Sequence, residues 1–413
     1  MLPQSKNLWR HADFLKLWSA QAISVFGTEL ASLAYPLTAI LVLDASVFQI
    51  GILQACGGAS GVLVGLFAGV IADRFPRRPL LIAADLSRAA LAATIPIAAF
   101  LGVLRIEQLY VVAFLAGAFN ILSLVAGMSF LPSLVEREQL VEGNSKLGTT
   151  ESIALIAGPS LSGALLQILT APLAILFDAV SFVISAIFVW QIRAPEILIE
   201  KEKRSVWSEI GEGLRFVYSN KILRPLAESI ALYFLFRQVV LALFTLYAIR
   251  VLHLEPLLLG VIFSALGFGF LLGALTVKSI TNRFGIGRTM IGANFLNILA
   301  LALVPLASGS KTFIVALLVI SHFFHAFGVQ LNGINLMSLR QAITPNQLQG
   351  RMTASFRFVN VGMMMFGSLI AGALGELIGL RETLIIGAVG MFAPFLRLLF
   401  SPVRNLNEHS SEI

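Results

Sequence analysis

Long apolar runs, each of roughly 20–28 residues, recur along the whole chain, separated by short polar or basic stretches. Their centres fall near residues 28, 60, 91, 120, 158, 182, 238, 268, 298, 324, 365 and 392. A helix rises about 1.5 Å per residue, so each run can cross a hydrocarbon layer about 30 Å thick with some tilt. The runs are continuous and punctuated by glycine and proline, which predicts helices and not the alternating strands of a membrane barrel. Twelve membrane-spanning helices are expected. The fifth and sixth are the closest pair and meet at "QILTAPLAI", residues 167–175.

One extended polar stretch interrupts this pattern, residues 193–225. Within it Trp207, Ile210, Leu214 and Val217 recur at helical spacing, opposite Glu209, Glu212 and Arg215. That pattern predicts an amphipathic helix on the cytoplasmic surface, either a linker between two halves or a partner site. The flanking halves repeat. "ADRFPRRPLL" at 72–81 corresponds to "TNRFGIGRTM" at 281–290, "REQLVEGN" at 137–144 to "PNQLQGRM" at 345–352, and "LSGAL" at 161–165 to "IAGAL" at 370–374. Three collinear matches at offsets of 208 or 209 residues predict two homologous six-helix halves. The expected organisation is a first half over 1–192, a central loop over 193–225, a second half over 226–404 and a tail over 405–413.

Composition agrees with an all-α integral membrane protein. Of 413 residues, 57% are hydrophobic and 12% charged, against about 45–50% and about 25% in soluble domains. The charge is also unevenly placed. With twelve spans, the loops on the side of the two termini hold 22 of the 29 Lys and Arg, and those on the other side hold 4. This bias predicts a multi-pass protein of the cell membrane with both termini in the cytoplasm. It also explains the net charge of +7 without a nucleic-acid partner. The one cysteine, Cys56, leaves no intramolecular disulfide and no multi-cysteine metal site. No small-residue cleavage site follows a short apolar stretch near the N-terminus, so the first span is expected to stay.

Charge is concentrated between the second and third spans, where "GVIADRFPRRPLL" holds Asp73, Arg74, Arg77 and Arg78. This stretch, the twelve spans and the repeat resemble the major facilitator superfamily, whose motif there reads approximately G-x-L-A-D-R-x-G-R-[RK]-x-x-L. Ile71 and Pro76 depart from it, and the second copy keeps Arg283 and Arg288 but carries Asn282 in place of the acid. The fifth span reads "IAGPSLSGALL". Gly158, Pro159 and Gly163 are similar to the tail of the superfamily's antiporter motif, with Ser162 replacing a glycine. The wider wording resembles a branch of macrolide-type drug exporters and siderophore exporters. The resemblance implies the major facilitator fold and a transporter, not an enzyme.

Arginines alone would hold the loop in the cytoplasm; Asp73 needs a further reason. The resemblance implies that the second helix packs on the eleventh. Asp73 would then face the eleventh helix's N-terminus near Gly350 and Arg351, with Arg357 within reach, as a conformational latch. A carboxylate at such a helix end gains about 0.3–1 kcal/mol. Small residues at four-residue spacing, Gly57, Gly61, Gly65 and Gly69 on the second helix and Gly367, Ala371, Gly375 and Gly379 on the eleventh, predict close approach there. Ala265, Gly269 and Gly273 of the eighth are expected to meet Gly158 and Ser162 of the fifth.

Charges within spans cost about 2.5–3.5 kcal/mol each and mark candidate sites. Glu29, Asp178, Arg237 and Arg357 lie in spans one, six, seven and eleven. Glu29 and Arg237, on repeat-equivalent helices, are the first candidates for proton and substrate handling, with a structural ion pair as the alternative. Asp178 is expected to bond a neighbouring backbone, and Asp85 and Arg88, at i and i+3, to pair with each other or to support the loop latch. Asn120 is the strongly polar residue of the fourth span. His322 and His325 share a helix face, but no acid or cysteine lies near in sequence, so packing or hydrogen bonding is expected and no metal site. No cofactor is expected. The sequence thus predicts a monomeric secondary transporter in the lipid bilayer, exporting an amphipathic small-molecule substrate with protons as the coupling ion. An importer or lysolipid-type transporter of the same fold, and a non-transporting receptor, remain as alternatives.

Overall fold

Proline and glycine set where the apolar runs begin and end. In the computed structural model, which describes residues 8–65, 68, 75–193 and 206–406, Pro172 and Pro256 stand in the first turn of their helices. An amide is not needed at that position, and the fixed φ suits the helix. Gly285 (φ 84°) and Gly379 (φ 100°) turn the chain sharply between consecutive helices. These are left-handed conformations that a side chain would strain.

The first span is helix α1, Ala12–Ala31, continued by a short helix at Ala34–Leu37 and a π-helical turn at Thr38–Val42. Then follow α2 (Val47–Leu63), α3 (Arg77–Phe100), α4 (Ile106–Leu134), α5 (Leu140–Ile168) and α6 (Ala171–Trp190). After the central stretch come α7 (Val206–Ser219), α8 (Leu223–Arg250), α9 (Pro256–Phe284), α10 (Ile286–Leu306) and α11 (Lys311–Ile343). The last are α12 (Gln349–Ile378), α13 (Leu380–Gly390) and α14 (Phe392–Leu399). Among the described residues, eleven segments are long and apolar enough to cross a membrane, α13 and α14 counting as one. The shorter α2 continues past Leu63, since Val64 and Ala68 still bond the carbonyls of Ser60 and Val64.

The internal repeat is visible as structure. One-turn 3-10 helices at Arg137–Gln139 and Asn346–Leu348 introduce α5 and α12, and α3 and α10 begin at Arg77 and Ile286. These positions keep the offset of the sequence repeat.

The chain clusters into two units, one of residues 1–44 and 60–203, the other of residues 45–59 and 204–413. In the first, Leu8, Phe14 and Leu17 pack with Phe130 and Leu131 of α4, Leu81 of α3 and Val189 of α6. In the second, Val217 of α7 packs with Leu223, Leu226 and Ile230 of α8, Met290 of α10 and Met352 and Phe356 of α12. The amphipathic helix is therefore docked through its apolar face. A Cβ at Gly213 would lie 2.5 Å from the Arg351 carbonyl oxygen, so only glycine permits this approach. Glu212 pairs with Arg351 beside it. The side chains of Trp207 and Ile210 lie outside the described residues.

Close helix contact in the second unit uses a different glycine face from the one expected. A Cβ at Gly51 would stand 2.6 Å from the Cα of Gly372, and one at Gly58 would stand 3.6 Å from Met365. Nothing comes within 4 Å of the corresponding point at Gly57. The second and eleventh spans, α2 and α12, do meet, but along Gly51 and Gly58. Gly367 abuts the Leu235 carbonyl of α8, and Gly375 abuts Val47 and Leu243. Gly269 and Gly273 sit against Phe323, Phe327 and Gln330 of α11, and Gly158 sits against Glu29.

Candidate functional site

Polar side chains that an apolar span must satisfy internally gather at one place in the first unit. Asp178 of α6 accepts from Thr28 of α1 at Oδ1 (3.1 Å) and from the Tyr35 hydroxyl at Oδ2 (2.9 Å). Thr28 and Tyr35 lie on either side of the break in the first span, so one carboxylate holds both pieces. The break follows Ala31, and the continuation contains Pro36 and the π-helical turn, a geometry that recurs at functional positions. The expected backbone partner of Asp178 is thus replaced by two hydroxyls.

Asp85 and Arg88 of α3 do not form the expected i,i+3 ion pair. Asp85 Oδ2 accepts from Ser185 Oγ of α6 at 2.6 Å. The Arg88 guanidinium lies 3.8 Å from the centroid of the Phe182 ring and donates to Thr28 Oγ1 at 3.5 Å. Helix α3 packs on α6, and the crossing turns both side chains off their own helix toward it.

Glu29 stands in the last turn of α1, half-buried against α5. A Cβ at Gly158 would lie 2.3 Å from Glu29 Cβ, so the glycine of the antiporter-like motif is a seat for this residue. Pro159 removes an amide from the α5 ladder beside that seat, and Gly163 is buried further along the same helix. Asn120 is exposed on α4. Trp18 Nε1 donates to Thr150 Oγ1 of α5 at 3.0 Å, a tie that the sequence did not reveal.

In the second unit Arg237 of α8 donates from Nε to His325 Nε2 of α11 at 3.2 Å. His325 is therefore a neutral acceptor there, with its proton on Nδ1. His322 places Nδ1 2.9 Å from the Leu318 carbonyl oxygen, and its ring packs on Phe244 and Phe263 at 4.5 and 5.6 Å. Both histidines are engaged by hydrogen bonding and packing. Gln238 donates to Ser368 Oγ of α12 at 3.0 Å. A separate cavity of about 710 Å³ is lined by Arg288, Ile291, Phe295, Phe395 and Arg404; Arg288 is the second half's counterpart of the charged loop.

Of the loop residues, Arg77 and Arg78 open α3, and Arg78 Nη2 donates to the Trp190 carbonyl at the end of α6. Asp73, Arg74 and Gly69 lie outside the described residues. Arg357 of α12 is exposed, and Arg351 already has a carboxylate partner in Glu212.

Residues 7–412 match the family described as "Transmembrane secretion effector". The chain belongs to this family, within the major facilitator superfamily. It is 25% identical over 392 residues to a protein named multidrug efflux pump Tap from Mycolicibacterium fortuitum, covering 90% of this chain and 93% of that one. It is 24% identical over 278 residues to macrolide efflux protein A of Streptococcus pyogenes, covering 67% and 68%. Among solved structures, a mutant form of the nucleoside transporter NupG matches with a TM-score of 0.75 at 15% identity, covering 94% of this chain and 98% of that one. A bacterial homologue of the iron transporter ferroportin matches with 0.73 at 17% identity, covering 95% and 99%. These neighbours share the fold. The family member is thus a multi-pass membrane transporter of a small-molecule substrate and not an enzyme, in the branch its sequence resembles.

Proposed function

We propose that this transporter is a secondary exporter that moves an amphipathic organic solute out of the cell in exchange for protons, by alternating access. The observation that carries the reading is its likeness to a named multidrug efflux pump over nine-tenths of both chains. Buried ionisable groups in apolar spans support proton coupling, because such groups persist there for a function or a partner. In this reading both termini are cytoplasmic, supported by the 22-to-4 distribution of Lys and Arg. The transporting unit is a monomer, with six-helix halves over 1–192 and 226–404, a joining loop over 193–225 and a tail over 405–413. Glu29, Arg237, Asp178 and Asn120 are the candidates for handling solute and proton. Gly158 seats Glu29, and Pro159 and Gly163 complete the antiporter-like motif of α5. Asp73, with Arg74, Arg77, Arg78 and Arg357, forms the latch of the cytoplasmic side.

Everted membrane vesicles test the reading. A macrolide should accumulate inside them when the lumen is acid, and a protonophore should release it. Accumulation only in right-side-out vesicles would make the protein an importer and overturn the proposal.

A further inference from the structure

Three ionisable side chains of unequal charge are buried together in the first unit. Asp85, Arg88 and Asp178 expose 4, 9 and 3% of their surface, and all lie inside membrane-spanning helices. Arg88 and Asp178 meet through Thr28, which accepts from the guanidinium and donates to the carboxylate. Arg88 interacts electrostatically with both acids and with Tyr35, and the acids accept hydrogen bonds from the hydroxyls of Thr28, Tyr35 and Ser185. Tyr35 enters as a neutral donor to Asp178. With both acids ionised, the cluster would hold an uncompensated negative charge in a medium that solvates charge poorly. One proton makes it neutral.

The hydrogen bonds distinguish the two acids. Asp178 receives two hydroxyl donors, one at each oxygen, a setting that suits a carboxylate ion. Asp85 has a single short contact of 2.6 Å to Ser185. A serine hydroxyl accepts as readily as it donates, so the same contact serves a protonated Asp85. The site also touches a movable element. Asp178 joins the two pieces of the first span across its break, so a change in the cluster's charge acts on that span directly.

We propose that Asp85, Arg88 and Asp178 form a proton-binding site that holds one proton, carried by Asp85, and that this is the proton exchanged for solute. The second clause rests on the proton-driven export proposed above. Loading adds one proton from water to an Asp85 carboxylate oxygen and release returns it; Arg88 stays cationic throughout and no other bond changes.

Charge balance gives the test an unusual form. In Asp178→Asn the remaining Asp85 faces Arg88 alone and ionises. In Asp85→Asn the remaining Asp178 does the same. Infrared difference spectra of the purified protein against each variant should therefore show the loss of one carboxylic acid carbonyl band and no loss of carboxylate. Arg88→Gln should add a second acid band, and the two asparagine variants decide the matter if that protein fails to fold. Loss of one carboxylate from each asparagine variant, with no acid band lost from either, would mean that both acids are ionised and would overturn the site. An acid band lost from each variant while the other acid keeps its own would mean that both are protonated, and would overturn it equally. In everted vesicles both variants should lose acid-driven accumulation. If Asp85→Asn still concentrates the macrolide, the exchange of this proton is refuted. If the unaltered protein shows no acid-driven accumulation, the export reading fails, and the spectra judge the proton site independently.

Discussion

The seat of Glu29 offers a direct test of how α1 and α5 are packed. The perturbation is Gly158→Ala. The new Cβ would lie 2.3 Å from Glu29 Cβ, 3.3 Å from its Cγ and 3.4 Å from its carbonyl carbon. Carbon atoms pack at about 3.5–4.0 Å, so the helices must part by at least about 1.2 Å. A Cβ position is set by the backbone, and no rotamer change relieves the contact. Overpacking of this kind costs about 1–3 kcal/mol, offset in part by about 0.8–1 kcal/mol of helix propensity gained over glycine. The partner variant, Glu29→Gly, removes the opposing Cβ. In the double variant the small residue has changed sides and the clash is gone. The costs of alanine before Pro159 and of glycine in α1 occur in both backgrounds and cancel in a double-mutant cycle. Thermal unfolding midpoints in detergent of the four proteins should show Gly158→Ala lowered, and the double variant higher than the sum of the single effects. Strict additivity, or an unchanged midpoint for Gly158→Ala, would refute the contact.

Three other substitutions test separate parts of the argument. Gly269→Ala should lower the melting temperature, since its Cβ would lie 2.2 Å from the Phe323 carbonyl oxygen, while Gly333→Ala, with nothing within 4 Å, should leave it unchanged or raise it. Glu29→Gln should weaken vesicle accumulation of a cationic solute more than that of a neutral one; equal losses would remove Glu29 from solute recognition. Asp73→Asn should cut transport sharply at near-normal membrane abundance measured by immunoblot, because a carboxylate at a helix end contributes only about 0.3–1 kcal/mol, and a matching fall in abundance would make Asp73 structural.

What could be read from the sequence divides along a physical line. The spans were legible because bilayer thickness imposes a length on every apolar run. The repeat was legible because the 3-10 turns at Arg137–Gln139 and Asn346–Leu348 stand on residues whose wording still matches. The glycine faces were only half legible. Spacing shows which residues share a side of a helix but not which side its neighbour takes. Gly51 and Gly57 are six residues apart, about 240° around a helix of 3.6 residues per turn; the stripe through Gly57 was regular, yet the contact ran through Gly51.

Partner choice was the least legible property. A polar residue in an apolar span announces that it must be satisfied, and the nearest candidate partner in sequence is the residue three or four positions away. On that basis Asp85 was paired with Arg88. Instead Asp85 found Ser185, a hundred positions on, Asp178 found Thr28 and Tyr35, and Arg237 found His325. In each case the decisive fact is which helices cross, and helix crossing is settled by glycine and alanine faces that carry no charge pattern. The same reasoning explains why the proton site needed three-dimensional information. Each of its three ionisable residues had a plausible local role, and only their common burial shows that the charges do not balance without a proton.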